Sequence, residues 1–173
     1  GDQVLQKVAA ELQRTASKGD IVARFGGEEF VVLLTHTDLA AAEQAAEKFR
    51  TVIAALQFAN LRITASLGVS ARSLEPKSME ELLDQADKGL YAAKRTGRNR
   101  VIRFDAVPAD LPPEEGRREM RHAAEPSPAT DVPIPFQAVT ALISALAYRD
   151  SGTAEHSRRV ADLTALVAEG LVS

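Results

Sequence analysis

The residues Arg24-Phe25-Gly26-Gly27-Glu28-Glu29-Phe30 have the types and spacing to do chemistry. Two glycines are followed at once by two carboxylates. They sit between two apolar runs, Ile21-Val22-Ala23 and Phe30-Val31-Val32-Leu33-Leu34. The pattern predicts a β-hairpin with the glycines and acids at its tip. Backbone without Cβ lets a ligand come close. Paired carboxylates can hold Mg²⁺, the usual companion of nucleotide phosphates. The same residues also suit a plain hairpin, because Gly-Gly is a turn dipeptide and a Glu at a tip is ordinarily just solvated.

A second cluster is Ala86-Asp87-Lys88-Gly89-Leu90-Tyr91-Ala92-Ala93-Lys94-Arg95-Thr96-Gly97-Arg98-Asn99-Arg100. Lys94 falls near the end of a predicted helix, and Arg98 follows its Gly97 stop. Both can reach one anionic group. Lys brings a point charge, and Arg a fork matched to phosphate oxygens. A basic last turn that satisfies the helix dipole explains the same residues without a ligand.

The elements that must position these clusters follow from periodicity. Val4, Leu5, Val8, Ala9 and Leu12 recur at helical spacing from Asp2 to about Arg14. The polar stretch Thr15 to Asp20 contains Gly19 as a breaker, and the hairpin comes next. Thr37-Asp38 can cap a second helix, with Ala42, Ala45, Ala46, Phe49, Ile53 and Leu56 on its face. Leu61, Ile63, Ala65, Leu67 and Val69 alternate with Arg62, Thr64, Ser66, Gly68 and Ser70, which predicts a strand with one buried face. Ser78-Met79-Glu80-Glu81 reads as a capping box opening a third helix. Leu82, Leu83, Ala86, Leu90 and Ala93 line that helix, and Gly97 ends it. Val101-Ile102-Arg103-Phe104 makes a short last strand. The fold class is α/β (α+β), one sheet with helices packed on it.

Composition shifts after Asp105. All the prolines except Pro76 fall from Pro108 to Pro135, which reads as a linker over 106–135, with a possible short helix from Glu114 to Ala124. Phe136, Val139, Leu142, Ile143 and Leu146 predict an amphipathic helix. A second is expected with Thr153 as its cap and Val160, Ala161, Leu163, Thr164 and Val167 apolar or small. Residues 136–173 are read as the opening of a helical domain, truncated at Ser173.

The 173 residues are 45% hydrophobic and 26% charged, which fits one compact domain plus something extra. With no Cys, disulfides and Cys-based zinc sites are excluded. No apolar run reaches the roughly 18–20 residues of a membrane helix. A net charge of −3 gives no argument for general nucleic-acid binding. The chain opens with Gly1-Asp2 and no secretory signal pattern, and is expected to be cut from something longer.

Taken together, the hairpin and the helix end resemble the GGDEF family of diguanylate cyclases. The resemblance covers roughly Gly1 to Phe104. The signature hairpin, Gly-Gly-Asp/Glu-Glu-Phe in the family, is complete at Gly26 to Phe30. Ile63-Thr64-Ala65-Ser66-Leu67-Gly68-Val69 looks like the strand that follows it, and Gly1-Asp2-Gln3-Val4-Leu5 resembles the family's Gly-Asp-x-x-Leu helix opening. The resemblance implies a palm-like domain that condenses two GTP into cyclic di-GMP with release of pyrophosphate. Each domain holds one GTP, and two domains meet as a homodimer. Glu28 would be a metal ligand, for Mg²⁺ or Mn²⁺, and would help deprotonate the 3′-hydroxyl. Glu29 would be a second catalytic acid of the hairpin. Gly26 and Gly27 would let the backbone pack on the phosphates. Lys94 and Arg98 would neutralise the β- and γ-phosphates, and Asp2 would accept from the guanine edge. Arg24 and Asp87 would have structural roles or support the residues that touch the nucleotide. The need for GTP implies a cytoplasmic place, with an upstream membrane anchor left open.

Two departures from the family pattern are expected to matter. The family's first strand, with its metal-binding Asp and a Phe-Lys-x-x-Asn segment, should precede Gly1. Without it the sheet would lack a central strand and expose apolar edges, and this polypeptide is expected to be inactive or barely active. The family's inhibitory Arg-x-x-Asp site aligns with Ser17-Lys18-Gly19-Asp20, so Asp20 remains but Ser17 replaces the Arg fork, and feedback inhibition should be weak or absent. A non-catalytic GTP-binding module that regulates an attached hydrolase is the alternative reading. Further on, Ala147-Tyr148-Arg149-Asp150 and His156-Ser157-Arg158-Arg159-Val160-Ala161 resemble the start of an HD or HD-GYP phosphohydrolase, in which His156 would be a metal ligand.

Overall fold

The computed structural model describes residues 2–58 and 61–111, and the backbone of 141–150. The elements are α1 (Asp2–Thr15), β1 (Ile21–Gly26), β2 (Glu29–Leu34), α2 (Leu39–Ala54), β3 (Arg62–Ala71), α3 (Met79–Arg95), β4 (Val101–Arg103) and β5 (Ala141–Asp150). Through β4 this order matches the one read from periodicity. Among the described residues the strands form one sheet in the order β1-β2-β5-β3-β4. β1 and β2 are an antiparallel hairpin, β5 is antiparallel to both β2 and β3, and β4 runs parallel to β3.

Capping residues set where the helices begin. Asp38 accepts from the Ala41 N–H at 2.8 Å and opens α2. Ser78 Oγ accepts from the Glu81 N–H at 3.2 Å and opens α3. Glu81 reaches back to the Lys77 N–H at 2.7 Å, one residue earlier than a standard capping box requires. Each cap satisfies a donor that the first helical turn leaves unpaired, worth about 1 kcal/mol.

The main core lies between one sheet face and the pair α1–α2. Val8 and Leu12 of α1, Phe49 and Ile53 of α2, Phe30 and Val32 of β2, and Ile63 and Leu67 of β3 are all buried there. Truncating Phe49 to Ala would cost about 3–5 kcal/mol in lost transfer and cavity energy.

The expectation that β3 buries one face is corrected. Its alternate residues Ser66 and Ser70 are as buried as Ile63 and Leu67, because α3 covers the other face. Ser70 Oγ pairs there with Gln85 Oε1 at 2.5 Å. The backbones come close at Gly68, where a Cβ would lie 1.9 Å from the Ala86 carbonyl oxygen. Small residues on that face are therefore a fit to the helix, although their polarity reads as solvent exposure. Val31, Leu82 and Ala86 form a second apolar cluster on this side.

Two further expectations are corrected at β5. Residues 141–150 form a strand, where an amphipathic helix had been expected; the rest of the helical domain read over 136–173 lies outside the described residues. Ala141-Leu142-Ile143-Ser144-Ala145-Leu146-Ala147-Tyr148 is a nearly continuous apolar run, and periodicity alone does not separate a buried helix from a central strand. β5 also fills the centre of the sheet, so the sheet is not open there. The linker read over 106–135 is described only as far as Leu111. The candidate helix from Glu114 to Ala124, the helix with Thr153 as its cap, and His156 lie outside the described residues.

Candidate nucleotide site at the hairpin tip

The β1–β2 register pairs Gly26 with Glu29, which leaves Gly27 and Glu28 as the turn. Gly27 has φ +50°, a value that favours glycine at the first turn position. The register shifts between Arg24 and Gly26, so Phe25 is a bulge and stands 44% exposed. Arg24 holds the turn from inside the strand: its Nε donates to the Gly27 carbonyl at 2.8 Å, and its Nη2 donates to the same oxygen. That is the structural role expected of Arg24. A Cβ at Gly26 or Gly27 would meet nothing within 4 Å, so both face open space at the tip.

The sheet and α3 together bring a cation to this tip. Lys94, in the last turn of α3, places Nζ 3.9 Å from Glu29 Oε1. Both side chains are partly buried, at 15% and 26% exposure. The Glu28 carboxyl is raised above the ordinary carboxylate range. Loss of water around it is the main cause; Lys94 pulls it back and the Glu29 charge adds to the rise. Glu28 as a whole residue is exposed, so this is partial desolvation at a crowded tip.

The exit from α3 is a Schellman closure. The Arg98 N–H reaches the Ala93 carbonyl at 2.9 Å, with Gly97 between them at φ +118°. Arg98 and Asn99 then continue with φ of 57° and 45°, where L-residues are disfavoured. Two contacts offset that strain. Asn99 N–H donates to the buried Ser66 Oγ at 3.2 Å, and Arg50 Nη1 donates to Asn99 Oδ1 at 2.9 Å. Sequence reasoning missed both. The Gly-Arg-Asn triplet was visible, but nothing in the sequence pairs Ser66 or Arg50 with it.

The structure thus brings Gly26, Gly27, Glu28, Glu29 and Lys94 together, with Arg98 on the exposed turn just past α3. Asp2 is exposed in the first turn of α1, where a carboxylate favours the helix dipole, and no hydrogen bond or ion pair among the described residues joins it to the hairpin. Asp20 is occupied locally: Oδ2 accepts from the Ser17 N–H at 2.8 Å and Oδ1 from the Thr35 N–H at 3.1 Å, clasping the α1–β1 turn to the end of β2. Asp87 is buried within α3.

Among the described residues no group of three or more His, Cys, Asp or Glu could hold a metal ion. The hairpin offers the adjacent carboxylates Glu28 and Glu29. Mg²⁺ commonly binds through one or two carboxylates together with substrate phosphates. The tip therefore carries carboxylates of the kind that bind a cation arriving with a nucleotide. No described helix is long and apolar enough to cross a membrane.

An α/β domain that sets a glycine–acid hairpin against a cationic helix end has the make-up of a nucleotide-phosphate site. Residues 1–100 match the family described as diguanylate cyclase, GGDEF domain, and the chain belongs to that family. It is similar to diguanylate cyclase DgcP of Pseudomonas aeruginosa, 45% identical over 105 residues, covering 58% of this chain and 16% of the relative. Diguanylate cyclase DgcM of Escherichia coli is 46% identical over 103 residues, covering 59% and 25%. Response regulator PleD of Caulobacter vibrioides is 41% identical over 108 residues, covering 59% and 24%. The chain spans about a quarter or less of the length of these relatives. No solved structure matches it.

Proposed function

We propose that this chain carries the GTP-binding part of a diguanylate cyclase. Two such domains, each holding one GTP at its hairpin, would condense them into cyclic di-GMP and release pyrophosphate. The observation that carries the reading is the approach of Lys94 to Glu29, which sets a cation beside the glycine–acid tip. Lys94, with Arg98 beyond it, neutralises phosphate charge, and Gly26 and Gly27 leave the backbone open to the phosphates. Glu28 holds the cation; its raised pKa suits a group that takes a proton from the attacking 3′-hydroxyl. A bound Mg²⁺ or Mn²⁺ would polarise the α-phosphate and stabilise charge developing in the transfer. Asp2 is assigned the guanine edge. The domain is assigned to the cytoplasm, where GTP is found.

A second reading is a GTP-binding regulatory module without turnover. It needs only the open hairpin glycines and the Lys94 end of α3, which can hold a nucleotide without turning it over. The test is incubation with GTP and Mg²⁺, with cyclic di-GMP followed by chromatography and Glu28→Ala run beside the wild type. Product that disappears in the variant supports the cyclase. Saturable GTP binding without product supports the module, and absence of binding overturns both.

A further inference from the structure

The turn that carries Arg98 is held more tightly than a helix exit requires. A Schellman closure needs one residue of positive φ, and Gly97 supplies it at +118°. The next two residues stay in the left-handed region without being glycine, Arg98 at +57° and Asn99 at +45°. Asn tolerates that region, whereas Arg enters it only at a cost. A glycine at either place would form the same turn without strain. Such strain persists where the surroundings over-determine the backbone, and it collects at sites where a side chain is used.

The surroundings here come from three elements. Both backbone polar groups of Arg98 are occupied: its N–H donates to the Ala93 carbonyl at 2.9 Å, and its carbonyl accepts from Arg100 Nε at 3.2 Å. Asn99 is held from β3 and from α2. Its N–H donates to Ser66 Oγ at 3.2 Å, and its Oδ1 accepts from Arg50 Nη1 at 2.9 Å. Ser66 is buried, so its hydroxyl is held in place. Arg50 is in turn aimed by Glu47, one turn earlier in α2, which accepts from its Nε at 2.6 Å. The exit of the turn is pinned where the Leu67 N–H donates to the Arg100 carbonyl at 2.9 Å. Thus α2 and β3 meet on Asn99, and α3 holds the residue before it, Arg98, which stands exposed.

We propose that Asn99, Arg50 and Ser66 are positioning residues for phosphate binding: they lock the turn so that Arg98 keeps a fixed spacing from Lys94 at the end of α3. The proposal rests on the reading of Lys94 and Arg98 as the pair that neutralises phosphate charge. None of the three positioning residues needs to touch the nucleotide. A guanidinium fork binds phosphate best from a fixed base, because ordering a mobile arginine on binding costs part of what its contacts contribute. With the link to Arg50 or Ser66 cut, the turn still forms but no longer holds Arg98 in one place.

The test is a double-variant cycle on the full chain, titrated calorimetrically with GTP and Mg²⁺. Asn99→Gly and Ser66→Ala are each made alone and together with Arg98→Ala. Glycine suits a φ of +45° and keeps the backbone N–H for Ser66, so Asn99→Gly cuts only the link to Arg50. Ser66→Ala removes the acceptor of the Asn99 N–H without changing charge. GTP affinity should fall about tenfold in Arg98→Ala and about three- to tenfold in each of the other two. Each combined variant should bind within about twofold of Arg98→Ala alone, because the positioning residues act through Arg98. A general loosening of the fold would instead weaken binding equally with and without Arg98. If Arg98→Ala weakens binding but the other two do not, or if their losses add to its own, the proposal is overturned and the phosphate site stands. If Arg98→Ala binds as wild type does, or wild type binds no GTP, the reading of the Lys94–Arg98 pair falls and takes the proposal with it.

Discussion

Lys94 Nζ stands 3.9 Å from Glu29 Oε1, linking the end of α3 to the tip of the β1–β2 hairpin. The two residues are far apart in sequence and meet because α3 packs across the face of β3. Neither side chain is fully exposed, so the pair is less screened than a surface ion pair. It sets positive charge beside the hairpin tip, where the proposed function puts the nucleotide phosphates. Replacing Lys94 with Ala should weaken GTP binding by about 1.5–3 kcal/mol, or roughly 10- to 150-fold, the worth of a charge-assisted contact. Calorimetric titration of wild type and variant checks this.

The pH dependence of stability should carry a mark of Glu28. Its carboxyl is raised in the folded protein, chiefly by desolvation. A raised acid holds its proton more tightly folded than unfolded. Its stabilising contribution is therefore complete below the unfolded pKa and is lost as pH rises through the folded pKa. Thermal melts of wild type and Glu28→Gln, compared from about pH 4 to neutrality, should show the wild type losing stability relative to the variant over that window. GTP and cation binding should move the other way, strengthening as Glu28 ionises.

Asp20 is predicted to act first as a structural clasp. Both carboxylate oxygens accept backbone N–H groups, from Ser17 and Thr35. Asp20→Ala leaves those donors without their partner and should destabilise the protein by about 1–3 kcal/mol. Chemical denaturation measures this. An unchanged midpoint would mean that water replaces the clasp at no cost.

The close passage of α3 over β3 should tolerate no side chain at Gly68. A Cβ there would lie 1.9 Å from the Ala86 carbonyl oxygen and 2.2 Å from the Leu90 nitrogen, both backbone atoms. Gly68→Ala must push α3 off the sheet and should cost about 3 kcal/mol or more. The same shift would carry Lys94 away from the hairpin, so GTP affinity should fall with stability. Gly26→Ala, whose Cβ would face open space, should leave stability within about 0.5 kcal/mol of wild type.

Much of this fold was legible in the sequence because its local signals agree. Val8 and Leu12 lie on a helical stripe, Asp38 and Ser78 cap the helices they precede, and Gly27 sits where a turn needs positive φ. The hairpin glycines and acids and Lys94 were legible by type and spacing. Less legible were features decided by long-range packing. Ser66 and Ser70 look like solvent-facing positions, yet α3 covers them, and only the close approach at Gly68 explains why small residues stand there. The contacts of Asn99 with Ser66 and Arg50 join residues distant in the chain and leave no local pattern. The strand at Ala141–Asp150 was read as a helix from the spacing of Phe136, Val139, Leu142, Ile143 and Leu146, whereas the pairing with β2 and β3 that makes it a strand is long-range and leaves no local pattern.

The central claim is that the hairpin tip and the end of α3 form one GTP site. The measurement that tests it most directly is calorimetric titration of this chain with GTP and Mg²⁺, alongside Glu28→Gln, Lys94→Gln and Asp20→Asn. The account predicts saturable binding that falls at least about tenfold in the first two variants, about 1.4 kcal/mol each, and is nearly unchanged in the third. No binding by the wild type, or equal affinity in all four proteins, would contradict it.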